Sequence, residues 1–302
     1  MDQSVELTAS GRKLAAGRLR EFVVRAIEAA PAYETPFYHL VLDRIFPDDV
    51  YAAMLANMPE ASDYRPMHGR SKGHDLPDGT HTRVKIDLFP EYIRHLPPEK
   101  RALWNVVRRA LCSGEVRDAF KRRLAPALER RFGADHAKTG MFPIPVLTRD
   151  IPGYLITPHT DTHWKGITVQ LYLPRDRSIT HIGTIFHKKL PDGSMPKDKQ
   201  MTFAPNTGYA FAVGSDTWHS ADRIGPEVRP RGLIFSRHHD ERLRGLSHRR
   251  PAPQRTGQPF AALSSANRPG MGVSARDHAV WAIRAEGAVL LHRGDAEEHR
   301  AP

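Results

Sequence analysis

Cysteine is nearly absent: the 302 residues contain one, Cys112. No internal disulfide can form, and a reducing compartment, by default the cytoplasm, is the expected location. Long apolar runs are missing too. Nothing approaches the roughly 18 consecutive apolar residues of a membrane span. The opening stretch MDQSVELTASGRKLAAGRLREF has no apolar h-region, so neither membrane insertion nor a secretory signal is expected. No internal repeat is visible. The formal net charge is +11, yet no helix-turn-helix, zinc-finger or RNA-binding motif accompanies it. The basic residues are spread out, with local clusters at Arg108-Arg109, Lys121-Arg122-Arg123, Arg130-Arg131 and His248-Arg249-Arg250, and no nucleic-acid partner is expected. With 40% apolar and 26% charged residues, the chain has the make-up and length to bury a core as one large domain or two small ones.

The first half reads as mainly helical. Residues 12–30 place Leu14, Leu19, Phe22, Val23, Ala26 and Ile27 near helical spacing, and Pro31 and Pro36 end the run. A short strand-like run follows at 37–46. Pro47-Asp48-Asp49 then marks a helix start, with Pro59 closing it. Residues 61–83 are polar and rich in Gly and His, a loop suited to bordering a site. Two further helices are expected at 99–112 and 115–132, separated by Ser113-Gly114. From 141 onward the pattern changes to short strand-like runs split by Pro, Gly, Asn and Asp: MFPIPVLT, GYLIT, GITVQLYL, IGTIFHK, MTFA, GYAFAV and GLIFS. Their spacing suits a sandwich or jelly roll better than βαβ units. The expected fold is α+β with a mainly β core. Residues 1–135 form a helical support, 136–245 the β core, and 246–302 a poorly ordered basic, Pro-rich tail, within which AVWAIRAEGAVLLH forms a short helix or strand.

Inside the strand-rich half lies GYLITPHTD, ending in His159-Thr160-Asp161. Two residues at i and i+2 at a strand end can point to one side. A third ligand must then arrive from a distant strand. His219, between the runs YAFAV and GLIFS, is so placed. Two imidazoles and one carboxylate with open positions left over form the facial triad of non-haem iron oxygenases, so His159, Asp161 and His219 are the candidate iron(II) ligands and catalytic centre. With 17 histidines in the chain, chance pairs occur. His238-His239-Asp240 is one such decoy, lacking strands between its ligands. A co-substrate that chelates iron through one carboxylate and a keto oxygen needs its distal carboxylate neutralised, which a guanidinium does by bidentate hydrogen bonds. Arg231, at the head of GLIFS, ranks first for this role. Arg229 competes, although Pro230 beside it suits a turn. By period two, Thr168, Gln170 and Tyr172 share one polar face of GITVQLYL, where Tyr172 can donate its hydroxyl to the same carboxylate.

The order Y-x-x-x-P-H-T-D, I-T-x-x-L-Y-L-P, W-H-S and R-G-L-I-F resembles the iron(II)- and 2-oxoglutarate-dependent dioxygenase superfamily, and within it the bacterial members related to prolyl hydroxylases. The resemblance covers roughly residues 140–240. It implies a double-stranded β-helix core, with Fe(II), 2-oxoglutarate and O₂ as cofactor and co-substrates. It assigns His159, Asp161 and His219 to iron, and Arg231 with Tyr172 to the 2-oxoglutarate 5-carboxylate. Halogenases of the superfamily have a small residue where Asp161 stands, so hydroxylation is the implied outcome, with release of succinate and CO₂. The expected substrate is an amino acid, a peptide or a secondary metabolite.

Other residues carry plainer readings. His163 suits a hydrogen-bonding role at the site's edge. Trp164 and Trp218 either wall a pocket or pack at barrel ends. Tyr154 can contact a ligand, while Asn206 in Pro-Asn-Thr-Gly suits a turn. His68, His74 and His81 lack convergent spacing and read as part of a mobile loop. Gly183-Thr184 and Lys188-Lys189 read as a solvated hairpin. The alternative to the oxygenase is a cupin-like metal-binding barrel acting as an isomerase, sensor or ligand-binding module, which needs no distal arginine.

Overall fold

Residues 9–67, 75–225, 232–239 and 280–290 are described in the computed structural model, those at 9–14, 232–239 and 280–290 by their backbone alone. Helix α1 (Ala9–Ala29) follows from its spacing: Leu19, Val23 and Ile27, each four residues apart, are buried. After β1 (Ala32–Tyr33) and β2 (His39–Leu42) comes α2 (Asp48–Ala56), which starts on Pro47 with Asp48 and Asp49 in its positive first turn. Helix α3 (Pro90–Ile93) leads to α4 (Pro98–Leu111). The single helix expected at 115–132 is instead two, α5 (Gly114–Arg123) and α6 (Ala125–Phe132). Pro126 has no N–H for the carbonyl four residues back, so the chain breaks at Leu124. The Ser113 hydroxyl caps α5 by accepting the Val116 N–H at 3.3 Å.

The remaining strands are β3 (Arg65–Pro66), β4 (Arg83–Asp87), β5 (Gly140–Asp150), β6 (Ile156–His159), β7 (Lys165–Leu173), β8 (Ile185–His187), β9 (Lys197–Gln200), β10 (Gly208–Ala212), β11 (His219–Ala221), β12 (Gly232–His239) and β13 (Val280–Leu290). They build two antiparallel sheets. The larger runs β1-β2-β10-β7-β12-β5-β4-β3, and the smaller β6-β11-β8-β9. Two cores follow from period two along β7. Ile167, Val169, Leu171 and Leu173 face a core shared with Leu19, Ile27, Trp104, Val107 and Phe120 of the helices. Tyr172 faces a second core with Phe186 of the smaller sheet and Tyr209 and Phe211 of the larger. One face of the large sheet is thus sealed by helices, and the other holds the space between the sheets.

Three differences from the sequence reading stand out. The loop expected at 61–83 gives way to β4 at its end, which joins the large sheet beside β5. The run MTFA is not a strand; β9 precedes it, and Met201 and Phe203 are buried without ladder pairing. In the tail, Val280–Leu290 is a strand. Its Ala282 and the Leu233 of β12 both pair with Thr148 and Tyr172.

Candidate metal centre

The small sheet assembles the candidate ligands. His159 ends β6 and His219 begins β11, and the two are directly paired across the ladder, with ring centroids 4.3 Å apart. Pro158 ahead of His159 lacks a ladder donor, which suits a strand at the sheet's edge. Two residues on, Asp161 sets Oδ2 3.9 Å from His219 Nε2. One donor atom from each of the three residues lies within 4.8 Å of the others. Asp161 and His219 are buried and His159 is partly exposed, so the trio is reached from one side.

Hydrogen bonding fixes the donor atoms. His159 Nδ1 donates to the Thr157 carbonyl at 3.0 Å and His219 Nδ1 donates to the Thr217 carbonyl at 3.0 Å. A carbonyl only accepts, so each Nδ1 carries a proton, and in the neutral imidazole Nε2 is then the atom that offers a lone pair to a metal. Lys165 donates to Asp161 Oδ1 at 2.6 Å, and the Thr168 hydroxyl donates to Oδ2 at 2.5 Å. Charge-assisted bonds hold the carboxylate with Oδ2 turned toward the imidazoles. Two neutral imidazoles and one anchored carboxylate suit a divalent ion of the iron type, with ligand positions left for other molecules.

The turn that carries these bonds is pinned from behind. Arg131 on α6 donates to the carbonyls of His163 and Lys165, and to that of Val213 at 2.5 Å. Its guanidinium meets carbonyls rather than a carboxylate, and burial pulls its pKa down to about 10. One side chain thereby ties the helical layer, the turn after Asp161 and the end of β10 together.

A pocket of about 530 Å³, its open mouth included, adjoins His159 and His219. Its apolar wall is Ile156, Ile182, Ala221 and Ile224, and its polar wall includes Gln170, Thr184 and Tyr209. The Tyr209 hydroxyl donates to Gln170 Oε1 at 2.6 Å and lies 3.1 Å from the Thr184 hydroxyl. Ser220, next to His219, bonds His187 Nε2 at 2.7 Å, and His187 Nδ1 donates to the Met195 carbonyl at 3.0 Å. At the pocket's remaining side sit Arg83, Asp150 and Tyr154.

The sequence-derived residues fall into three groups. His159, Asp161 and His219 are brought together. Thr168 sits beside them, but its hydroxyl holds Asp161, which places it behind a candidate ligand. Tyr172 lies in the core between the sheets, where its oxygen accepts the Thr184 N–H at 3.0 Å, and burial raises its pKa above the usual phenol value. Arg231 and Arg229 lie outside the described residues. Of the decoy, His238 and His239 end β12 opposite Pro143 and Phe142, and Asp240 lies outside the described residues, as do His68 and His74. His81 pairs with Asp75 at 3.1 Å. Asn206 takes the turn role, with φ of 59°. Thr184 departs from the hairpin reading: it is buried in the pocket wall, because Gly183 lets the chain press against the Met201 carbonyl, where a Cβ would come within 1.6 Å. Lys188 and Lys189 are exposed as read. Arg83, Asp150, Lys165, Tyr209 and Ser220 were missed. Lys165, four residues beyond Asp161, and Tyr209, in phase with Phe211, carried the clearest signals.

No family model matches the chain, and no curated protein matches it in sequence. Similarity is found among solved structures. A Pseudomonas putida prolyl-4-hydroxylase is 13% identical, over 72% of this chain and 95% of that one, with a TM-score of 0.39. A prolyl hydroxylase from Trichoplax adhaerens, in complex with a peptide fragment of the hypoxia inducible factor oxygen degradation domain, is 10% identical over 80% and 98%, with a TM-score of 0.41. A prolyl 4-hydroxylase from Phytophthora capsici is 12% identical over 78% and 65%, with a TM-score of 0.40.

Proposed function

We propose that the protein is an Fe(II)- and 2-oxoglutarate-dependent oxygenase that hydroxylates an unactivated C–H bond of an amino acid, a peptide or a secondary metabolite. The observation that carries this reading is the convergence of His159, Asp161 and His219, each held in its ligating form by a second residue. When bound, iron and 2-oxoglutarate supply O₂ activation, with succinate and CO₂ as by-products. The protein's part is to hold the ligands, orient the substrate and exclude side reactions. His159 and His219 offer Nε2, and Asp161 offers Oδ2, steadied by Thr168 and Lys165. The polar wall of Gln170, Thr184 and Tyr209 lines a pocket opening beside these groups, and the apolar wall limits water.

The finer assignments belong to the same reading. The paired antiparallel sheets are taken as a double-stranded β-helix over residues 136–245, supported by residues 1–135 and followed by a basic, Pro-rich tail at 246–302. Arg231, ahead of Arg229, anchors the 5-carboxylate of 2-oxoglutarate, with Tyr172 behind it. No helix among the described residues is long and apolar enough to cross a membrane, and a cytoplasmic site of action fits the single cysteine.

The test is 2-oxoglutarate turnover by the iron-loaded protein, followed as succinate against panels of amino acids, peptides and metabolites. We expect succinate that requires iron and rises with the right substrate. Arg231→Leu should lower co-substrate affinity more than Arg229→Leu. Absence of both 2-oxoglutarate binding and turnover would refute the reading.

A further inference from the structure

The turn between β6 and β7 sets a cation against the back of the candidate carboxylate ligand. Lys165 follows Asp161 by four residues, and its backbone N–H donates to the Thr162 carbonyl at 3.0 Å, which closes the turn. The Lys165 ammonium donates to Asp161 Oδ1 at 2.6 Å. The other oxygen of the same carboxylate, Oδ2, lies 3.9 Å from His219 Nε2. The side chains of Lys165 and Asp161 are 7% and 3% exposed, so water and salt screen their charges little.

The charge of the site follows by counting. Two neutral imidazoles and one carboxylate carry a single negative charge, and the Lys165 ammonium offsets it. The ligand set with its buried counter-ion is therefore neutral. Arg131 adds a further positive charge behind the same turn, where it donates to the Lys165 carbonyl. An ion held by the trio would gain from the carboxylate but would also meet the ammonium on that carboxylate's far side. The repulsion grows with the charge of the ion. At roughly 5–6 Å and an effective permittivity of about 20, one extra unit of charge on the ion weakens its binding by more than about tenfold. A lysine that only oriented the carboxylate would help ions of either charge alike.

We propose that Lys165 makes the centre discriminate by ionic charge, favouring a divalent over a trivalent ion, and so holds bound iron in the ferrous state. Groups behind the ligands tune a metal's redox balance through charge and hydrogen bonding, and Lys165 supplies both at one carboxylate. It is a positioning residue, because it acts through Asp161. The inference rests on the proposed iron site and deepens it, and needs neither 2-oxoglutarate nor a substrate.

The test is a potentiometric titration of the iron-loaded full chain without 2-oxoglutarate, following the Fe(III) signal by electron paramagnetic resonance. The potential reads the ratio of Fe(III) to Fe(II) affinity, so a loss of orientation that weakens both ions equally cancels. We expect Lys165→Met to raise that ratio at least about tenfold, a fall in potential of about 59 mV or more. Lys165→Gln, which keeps an N–H donor without the charge, carries the same expectation and serves if Lys165→Met does not fold. Lys165→Arg keeps the charge and should stay within about threefold of wild type. An unchanged ratio in the neutral variants, or a shift of equal size in Lys165→Arg, would overturn the proposal. A wild-type chain that binds no iron at all would overturn it together with the metal site. The expected shifts in a protein that fails to bind 2-oxoglutarate would bear out the proposal and count against the oxygenase reading alone.

Discussion

Replacing Arg131 with Met removes the one guanidinium that ties α6 to the turn behind Asp161. In the wild type it donates to the carbonyls of His163, Lys165 and Val213. Bonds from a charged donor contribute roughly 1.5–3 kcal/mol each, so the three together contribute on the order of 6 kcal/mol. Against this stands the cost of burying the cation. Burial draws its pKa down to about 10 from the ordinary guanidinium value, which corresponds to roughly 3 kcal/mol at about 1.4 kcal/mol per unit. The guanidinium is partly exposed, so both figures shrink by solvent screening. The difference is a net loss of about 2–3 kcal/mol, which for a chain of this size lowers Tm by roughly 5–10 °C. The turn also loses its brace, so metal affinity should fall by about tenfold or more, the usual scale for groups that orient ligands. Differential scanning calorimetry of the metal-free variant and competition titration with a zinc chelator read the two effects separately. Arg131→Lys, which keeps a charge but not the fork, should fall between. A Tm within a degree of wild type and unchanged zinc affinity would refute the reasoning.

Three further outcomes follow. His39 is buried, donates Nδ1–H to the Phe37 carbonyl at 2.8 Å and faces Lys199 Nζ at 3.2 Å through Nε2; burial lowers its pKa from 6.5 to about 4. The unfolded chain takes up this proton first, so stability should fall between pH 6.5 and 4 by up to about 3 kcal/mol. His39→Gln should flatten that limb in urea denaturation as a function of pH. Asn206, at φ 59°, bonds the Phe46 N–H at 2.9 Å and the Phe46 carbonyl at 2.8 Å. Asn206→Ala should cost about 3 kcal/mol, and Asn206→Gly about 1 kcal/mol less because glycine accepts positive φ, both measured by urea midpoint. Thr168→Val removes the hydroxyl bonded to Asp161 and should weaken zinc binding by about tenfold with little change in secondary structure by circular dichroism.

The grouping of His159, Asp161 and His219 was legible because its signal is local and chemical. His159 and Asp161 follow a strand at spacing two, and His219 stands apart from both along the chain. Helices α1 and α2 were legible from apolar spacing and from Pro47 with its following aspartates. Strand β4 was not, because its charges are satisfied only across the sheet: Arg83 by Asp150, and Asp87 by Arg65 and Lys85. Read alone, RVKID looks like a solvated loop. Parity placed Thr168, Gln170 and Tyr172 on one face correctly. It could not tell which hydroxyl meets the pocket. That depends on Gly183 bringing the Thr184 N–H onto the Tyr172 oxygen, a contact between segments 12 residues apart. The buried pair of Arg83 and Asp150 was invisible for the same reason, since its members are 67 residues apart.

The most direct measurement is an anaerobic titration of the metal-free protein with Fe(II), followed by 2-oxoglutarate, watching the visible metal-to-ligand charge-transfer band. The account expects one Fe(II) per chain, a band that forms only when 2-oxoglutarate is added, and loss of both in His159→Ala, Asp161→Ala and His219→Ala variants that still fold. Iron binding that survives all three substitutions, or one tightly held Fe(II) that gives no band with saturating 2-oxoglutarate, would contradict it.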